Sequence, residues 1–142
     1  MTDPNNEDRL RDAIEHLYLG HREFTAGPDL ILEERGLNLV HHRILYFVGR
    51  NDRISVNSLL AILEISKQAL NAPLRKLVQA GFISNEPAPL DRRVKQLRLT
   101  TNGKRLEQRL TGTQMRQLAR VFDEAGSNAN TGWRKVMARL RG

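Results

Sequence analysis

The residue types that most often do chemistry are placed awkwardly along this chain. Its four histidines stand as two pairs, His16 with His21 and His41 with His42. On a helix, neighbours point about 100° apart, and an i, i+5 pair is no better aligned, so neither pair can converge on a metal ion. There is no cysteine, which excludes structural disulfides, cysteine-ligated zinc, haem–thiolate chemistry and thiol-based redox sensing. No Gly-rich phosphate loop, metal box or motif-placed pair of carboxylates is present. The chain therefore reads as neither an enzyme nor a holder of cofactors, with no catalytic or metal-ligating residues. What remains is charge. Residues 1–54 carry seven basic and ten acidic side chains, residues 55–109 carry ten and four, and the remainder six and two. A gradient of this kind points to a middle section that faces a polyanion; a merely solvated basic surface is the plainer alternative.

The elements that must carry those charges follow from periodicity. A chain of 142 residues with only 5% aromatic content makes one domain with a core of Leu, Ile and Val. No apolar run approaches the roughly 18 residues of a membrane span. The opening "MTDPNNEDRLRD" is acidic rather than signal-like, so a cytoplasmic protein without a membrane partner is expected. Leu10, Ile14, Leu17, Tyr18, His21 and Phe24 form a helical stripe over residues 8–25, which "AGPD" is expected to end. A second helix covers residues 39–49. Ser55 can cap a short third helix, "VNSLLAIL", and Ser66 a fourth, closed by Gly81. "FISNE" and "VKQLRLT" read as two strands around the loop "PAPLDRR". Thr100 can cap a long helix to about residue 125, and "WRKVMARL" supplies a last one.

Two residues disturb this pattern. Pro73 lies within "SKQALNAPLRKLVQAGF", whose apolar spacing is helical. Either the helix is bent by it, the reading favoured, or Pro73 opens a shorter helix as its first residue. Asn102-Gly103 is a strong hairpin dipeptide, but Leu106, Leu110, Leu118, Val121 and Phe122 keep helical spacing beyond it, which puts Gly103 in a first helical turn.

Two helices joined by a tight turn, then a two-stranded ribbon with a basic tip, make a winged helix-turn-helix. The predicted fold class is mostly α with a small β wing. A helix fits the major groove of double-stranded DNA, where base edges are distinguishable, and its positive N-terminus suits phosphate. The first, fifth and sixth helices each carry an apolar stripe that one wing domain cannot bury.

"GLNLVHHRILYFV", the helix pair ending "LVQAGFIS", the wing "DRRVKQLRLTTNGKRLEQRL" and the terminal helices resemble the MarR family of bacterial transcription regulators. The resemblance implies a single domain over residues 1–142, with dimerisation helices at residues 8–26 and 100–142 and a DNA-binding lobe at 37–99. It implies a homodimer acting on a pseudo-palindromic operator, as a ligand-responsive repressor. By the same analogy the fourth helix enters the major groove and the wing arginine the minor groove. Those roles fall here on Ser66, Lys67, Gln68 and Asn71, and on Arg92 and Arg93. The amides of Gln68 and Asn71 can pair bidentately with adenine, and Lys67 can donate to guanine or phosphate. Arg75 and Lys95 suit backbone contacts, and Asp91 suits the aiming of an arginine. Members of the family also bind small aromatic or anionic effectors, for which Tyr18, His41, His42, Arg43 and Tyr46 are the candidate lining. The alternative to DNA binding is a winged-helix adaptor that contacts protein instead.

Overall fold

Polar caps set where most helices begin. The computed structural model describes residues 3–142, and their elements run α1 (Pro4–Glu34), α2 (Leu39–Arg50), β1 (Ile54–Ser55), α3 (Val56–Leu63), α4 (Lys67–Gln79), β2 (Ile83–Pro87), β3 (Lys95–Leu99), α5 (Thr101–Ala125) and α6 (Ser127–Arg141). The Asn38 side chain accepts the Val40 N–H while the Asn38 N–H donates to His41 Nδ1, at 3.0 Å each. The hydroxyls of Ser55, Ser66 and Thr100 accept from Ser58, Ala69 and Gly103 at 3.0–3.1 Å, each satisfying an N–H that the first turn leaves free. At the other ends, α1 and α4 close alike. Gly36 (φ +68°) and Gly81 (φ +83°) take the left-handed conformation. The next residues, Leu37 and Phe82, donate back to Leu32 and Leu77 at 2.9 and 3.0 Å, a Schellman closure.

Three expectations are corrected. "AGPD" does not end α1, which continues to Glu34 with Pro28 inside it. Pro28 has no N–H for the Phe24 carbonyl four residues back. Gln114 Nε2 of α5 donates to that carbonyl at 3.4 Å, and Gln117 Nε2 to the Glu23 carbonyl at 3.3 Å. With Pro28 itself fully buried, tertiary contacts override the local breaker. A third strand, β1, is also present and the sheet order is β1-β3-β2; two residues are too few for an alternation to register. Finally, α6 starts at Ser127, ahead of "WRKVMARL".

Pro73 does not split α4, which is continuous from Lys67 to Gln79. It is an interior residue and not a helix opener. The carbonyl it leaves without a partner belongs to Ala69, an exposed residue, while Leu70, Leu74 and Leu77 of the same helix are buried. That burial outweighs a penalty of about 3 kcal/mol, since each buried Leu is worth about 1.5–3 kcal/mol.

The core joins these elements. Leu32, Ile44, Leu45, Leu59, Leu70, Leu77, Leu97 and Leu110 are all fully buried. Antiparallel pairing sets Ile54 opposite Leu97, and Ile83 opposite Leu99. Gly103 does lie in the first turn of α5, for a reason the sequence hides. A Cβ there would meet the Phe82 carbonyl oxygen at 1.9 Å, and the same oxygen accepts the Thr100 N–H at 3.0 Å.

The helical ends are not covered. No residue of α1 before Phe24 reaches even partial burial among those described, and α6 has no buried residue. Leu10, Ile14 and Leu17 of α1 and Val136 and Leu140 of α6 are 47–67% exposed.

Candidate nucleic-acid interface

Helix α4 presents its residues in sectors. Lys67, Asn71, Leu74, Arg75 and Val78 fall at i, i+4, i+7, i+8 and i+11, one side of a 3.6-residue helix. They form a wall of an open cleft of about 510 Å³, whose other walls are the start of α3 (Ser55, Val56, Asn57) and the wing (Asn85, Arg93, Val94, Lys95). Five residues singled out in the sequence thus share one concavity: Lys67, Asn71, Arg75, Arg93 and Lys95. Gln68 is exposed but turned about 100° from Lys67 and outside the cleft wall. The Ser66 hydroxyl is occupied as the cap of α4.

The wing tip is a turn closed by the Val94 N–H donating to the Asp91 carbonyl at 3.1 Å. Asp91 Oδ1 accepts both the Arg93 N–H and the Arg93 Nε–H, at 3.0 and 3.1 Å. The side-chain bond first, and the backbone bond second, hold the Asp91 carboxyl below the usual carboxylate range. Asp91 therefore orients Arg93, whose side chain is still 91% exposed. Arg92, the other tip arginine, is exposed and outside the cleft wall. Two further cations of the basic middle section have structural work. Lys76 donates to the Gly36 carbonyl at the end of α1, and Arg98 pairs with Asp52 at 2.9 Å.

Ser55, Asn57 and Asn85 were not legible as cleft residues. The first two depend on β1, which carries no periodic signal. Asn85 could have been found, because it shares a strand face with Ile83 by the period of two.

A second cavity, about 320 Å³, lies between α1, α2 and α5. His42, Arg43 and Tyr46 line it with His21, Phe24 and Gln114 among others. His42 Nε2 is 3.1 Å from the buried Thr111 hydroxyl of α5. Burial, foremost, pushes the His42 pKa down, with Arg43 adding to this and Asp29 opposing it. Two of the expected lining residues do not reach the cavity. His41 faces away from it; its ring accepts the Asn38 N–H, and burial followed by the charge of Lys76 lowers its pKa. Tyr18 is 74% exposed, on the part of α1 that projects beyond the neighbouring helices.

A helix–turn–helix whose second helix and three-stranded wing enclose a basic cleft defines a winged-helix regulator. The chain belongs to the MarR family of transcription regulators. The MarR family profile matches residues 35–94, and the helix–turn–helix transcriptional regulator PetP of Rhodobacter capsulatus is 34% identical over 92% of this chain and 79% of its own length. Among solved structures, FabT of Streptococcus pneumoniae, in complex with DNA, has a TM-score of 0.82 at 15% identity, covering 93% of this chain and 94% of its own. A MarR-family protein of Mycobacterium tuberculosis, in complex with p-aminosalicylic acid, has a TM-score of 0.62 at 21% identity over 89% of this chain and 95% of its own. At these identities the two structures speak to fold. Among the described residues no helix is long and apolar enough to cross a membrane.

Proposed function

We propose that this regulator binds double-stranded DNA as a homodimer on a pseudo-palindromic operator in the cytoplasm, and represses transcription by occupying it. The observation that carries the reading is the convergence of Lys67, Asn71, Arg75, Arg93 and Lys95 on one cleft. Lys67 and Asn71 stand in the first turns of α4, where base contacts form. Asn71 suits adenine, and Arg93, aimed by Asp91, suits the narrow minor groove. Arg75 and Lys95 suit phosphate. Residues 37–99 form the DNA-binding lobe in this reading, and the helical ends the dimer. The exposed apolar side chains of α1 and α6 support dimerisation, because a monomer would leave them in water. The cavity between α1, α2 and α5 would take a small aromatic or anionic effector, its Phe24 and Tyr46 supplying apolar walls and Arg43 a counter-charge. The p-aminosalicylic acid held by the Mycobacterium tuberculosis relative is a ligand of that kind.

The test is selection of duplexes from random DNA by the purified protein, followed by footprinting and transcription from a promoter carrying the selected site. Two half-sites about one helical turn apart are expected. Affinity should fall steeply with salt, by nearly one logarithmic unit of slope per phosphate contact. Single half-sites bound by a monomer would refute the dimer. No duplex selected, or binding insensitive to salt, would refute DNA recognition and favour the protein-binding adaptor.

A further inference from the structure

Leu90 is the most exposed of the large apolar side chains described, at 101%. A lone exposed leucine is ordinary on a protein surface, so its position decides the matter. The exposed apolar residues of α1 and α6 sit in helical stripes, where neighbours extend the patch. Leu90 instead stands at the tip of the β2–β3 hairpin, next in sequence to Asp91, which aims Arg93. It is held there from both sides. Pro89 before it has a fixed φ and restricts Ala88 to extended backbone. The Ala88 N–H donates to the Val94 carbonyl at 2.8 Å, one step beyond the Pro87–Lys95 pair, and the turn from Asp91 to Val94 follows directly. Between these two anchors the side chain stands fully clear of the wing.

We infer that Leu90 is a DNA contact: an apolar wedge that enters the minor groove beside Arg93 and packs against its walls or a base step. This rests on the reading of the cleft as a DNA interface. The groove is about 6 Å wide, which admits a hairpin tip but not a helix, and leucine and proline are among the side chains that minor-groove proteins insert there. Arg92 and Arg93 supply the positive charge that draws the tip to that groove, and Leu90 adds what cations cannot, a preference for steps that open easily. The expected operator therefore carries a flexible pyrimidine–purine step under each wing, outside the bases read by α4.

The experiment uses the full chain and a duplex it selects, with hydroxyl-radical footprinting to read sugar accessibility in the minor groove. Leu90→Ala should weaken binding about fiftyfold, the value of the three buried carbons that leucine has beyond alanine. It should also reduce protection at the outer minor groove, where Arg93 remains, and leave the salt slope and the melting temperature unchanged. Leu90→Met should behave as the unsubstituted protein. An affinity loss with an unaltered footprint would overturn the inference. So would unaltered affinity in Leu90→Ala alongside weakened binding in Arg93→Ala, a result that leaves DNA recognition by the cleft intact. Failure of the unsubstituted chain to select any duplex would overturn both readings together.

Discussion

Gly103→Ala is the substitution for which the structure gives the sharpest magnitude. In a helix the change ordinarily stabilises by up to about 1 kcal/mol. Here the added Cβ would meet the Phe82 oxygen at 1.9 Å and its carbon at 2.9 Å. A relaxed contact of carbon with a carbonyl oxygen is about 3.3 Å, so backbone must move by more than an ångström. Overpacking of this kind costs about 1–3 kcal/mol. Moving Phe82 also strains two hydrogen bonds, from the Thr100 N–H to the Phe82 carbonyl at 3.0 Å and from the Thr100 hydroxyl to the Gly81 carbonyl at 2.6 Å. Each is worth about 1 kcal/mol. Subtracting the helix gain leaves a net loss of about 2–4 kcal/mol, a large part of the 5–15 kcal/mol typical of a folded domain. Equilibrium urea unfolding at fixed protein concentration measures it. Gly132→Ala is the control, since it too is helical but a Cβ there meets nothing within 4 Å. If Gly103→Ala proves as stable as Gly132→Ala, α5 does not pack under the root of the wing as described.

The wing and α4 should respond differently in salt titrations of DNA affinity. Arg93→Ala should weaken binding to many sequences and lower the salt slope by about one unit, whereas Asn71→Ala should relax preference at one base pair by roughly 1–3 kcal/mol with the slope unchanged. Ser66→Ala should lower stability by about 1 kcal/mol through loss of the α4 cap, and Ser66→Asn should restore it; equal effects of the two on binding without any change in stability would instead make Ser66 a DNA contact. Acid should destabilise the fold through His41 and His42. Their pKa values are lowered from 6.5, so the neutral rings contribute stability that is present above pH 6.5 and lost as pH falls below it, because the unfolded chain takes up protons first. Melting temperatures between pH 8 and pH 5 should show the decline, and His42→Gln should flatten it.

How much of this was legible in the sequence depended on how local the cause is. Ser55, Ser66 and Thr100 cap helices with their own side chains, and Gly81 turns the chain by its own φ, so those boundaries could be read directly. Pro28 could not, because the donor that rescues its helix is Gln114 of α5, 90 residues from the Phe24 carbonyl it serves. Downstream periodicity puts Gly103 in the right element, but the carbonyl that demands a glycine there is set by tertiary packing. Periodicity also gives angles without giving neighbours. It separates His41 from His42 by about 100°, which is why only one of them reaches the cavity, but it does not show which, nor that α1 has already left its neighbours behind at Tyr18. Asn71 and Arg93 follow from the family resemblance, and the strand of two residues that ties the wing to the start of α3 beside them is one that no pattern announces.

That strand has a mechanical consequence. Ser55 pairs with Gln96 of the wing and, in the same residue, caps α3, the helix that precedes α4. The wing and the helix–turn–helix are thus joined like the jaws of a fixed caliper. Neither can be reset without tilting the other, so the span from the first turns of α4 to Arg93 at the wing tip is a constant of the chain. If the proposed homodimer sets two such calipers on one duplex, its binding site can gain or lose base pairs only at its centre, where the gap is spanned by how the two copies sit together; the same insertion within a half would pull one jaw off the duplex.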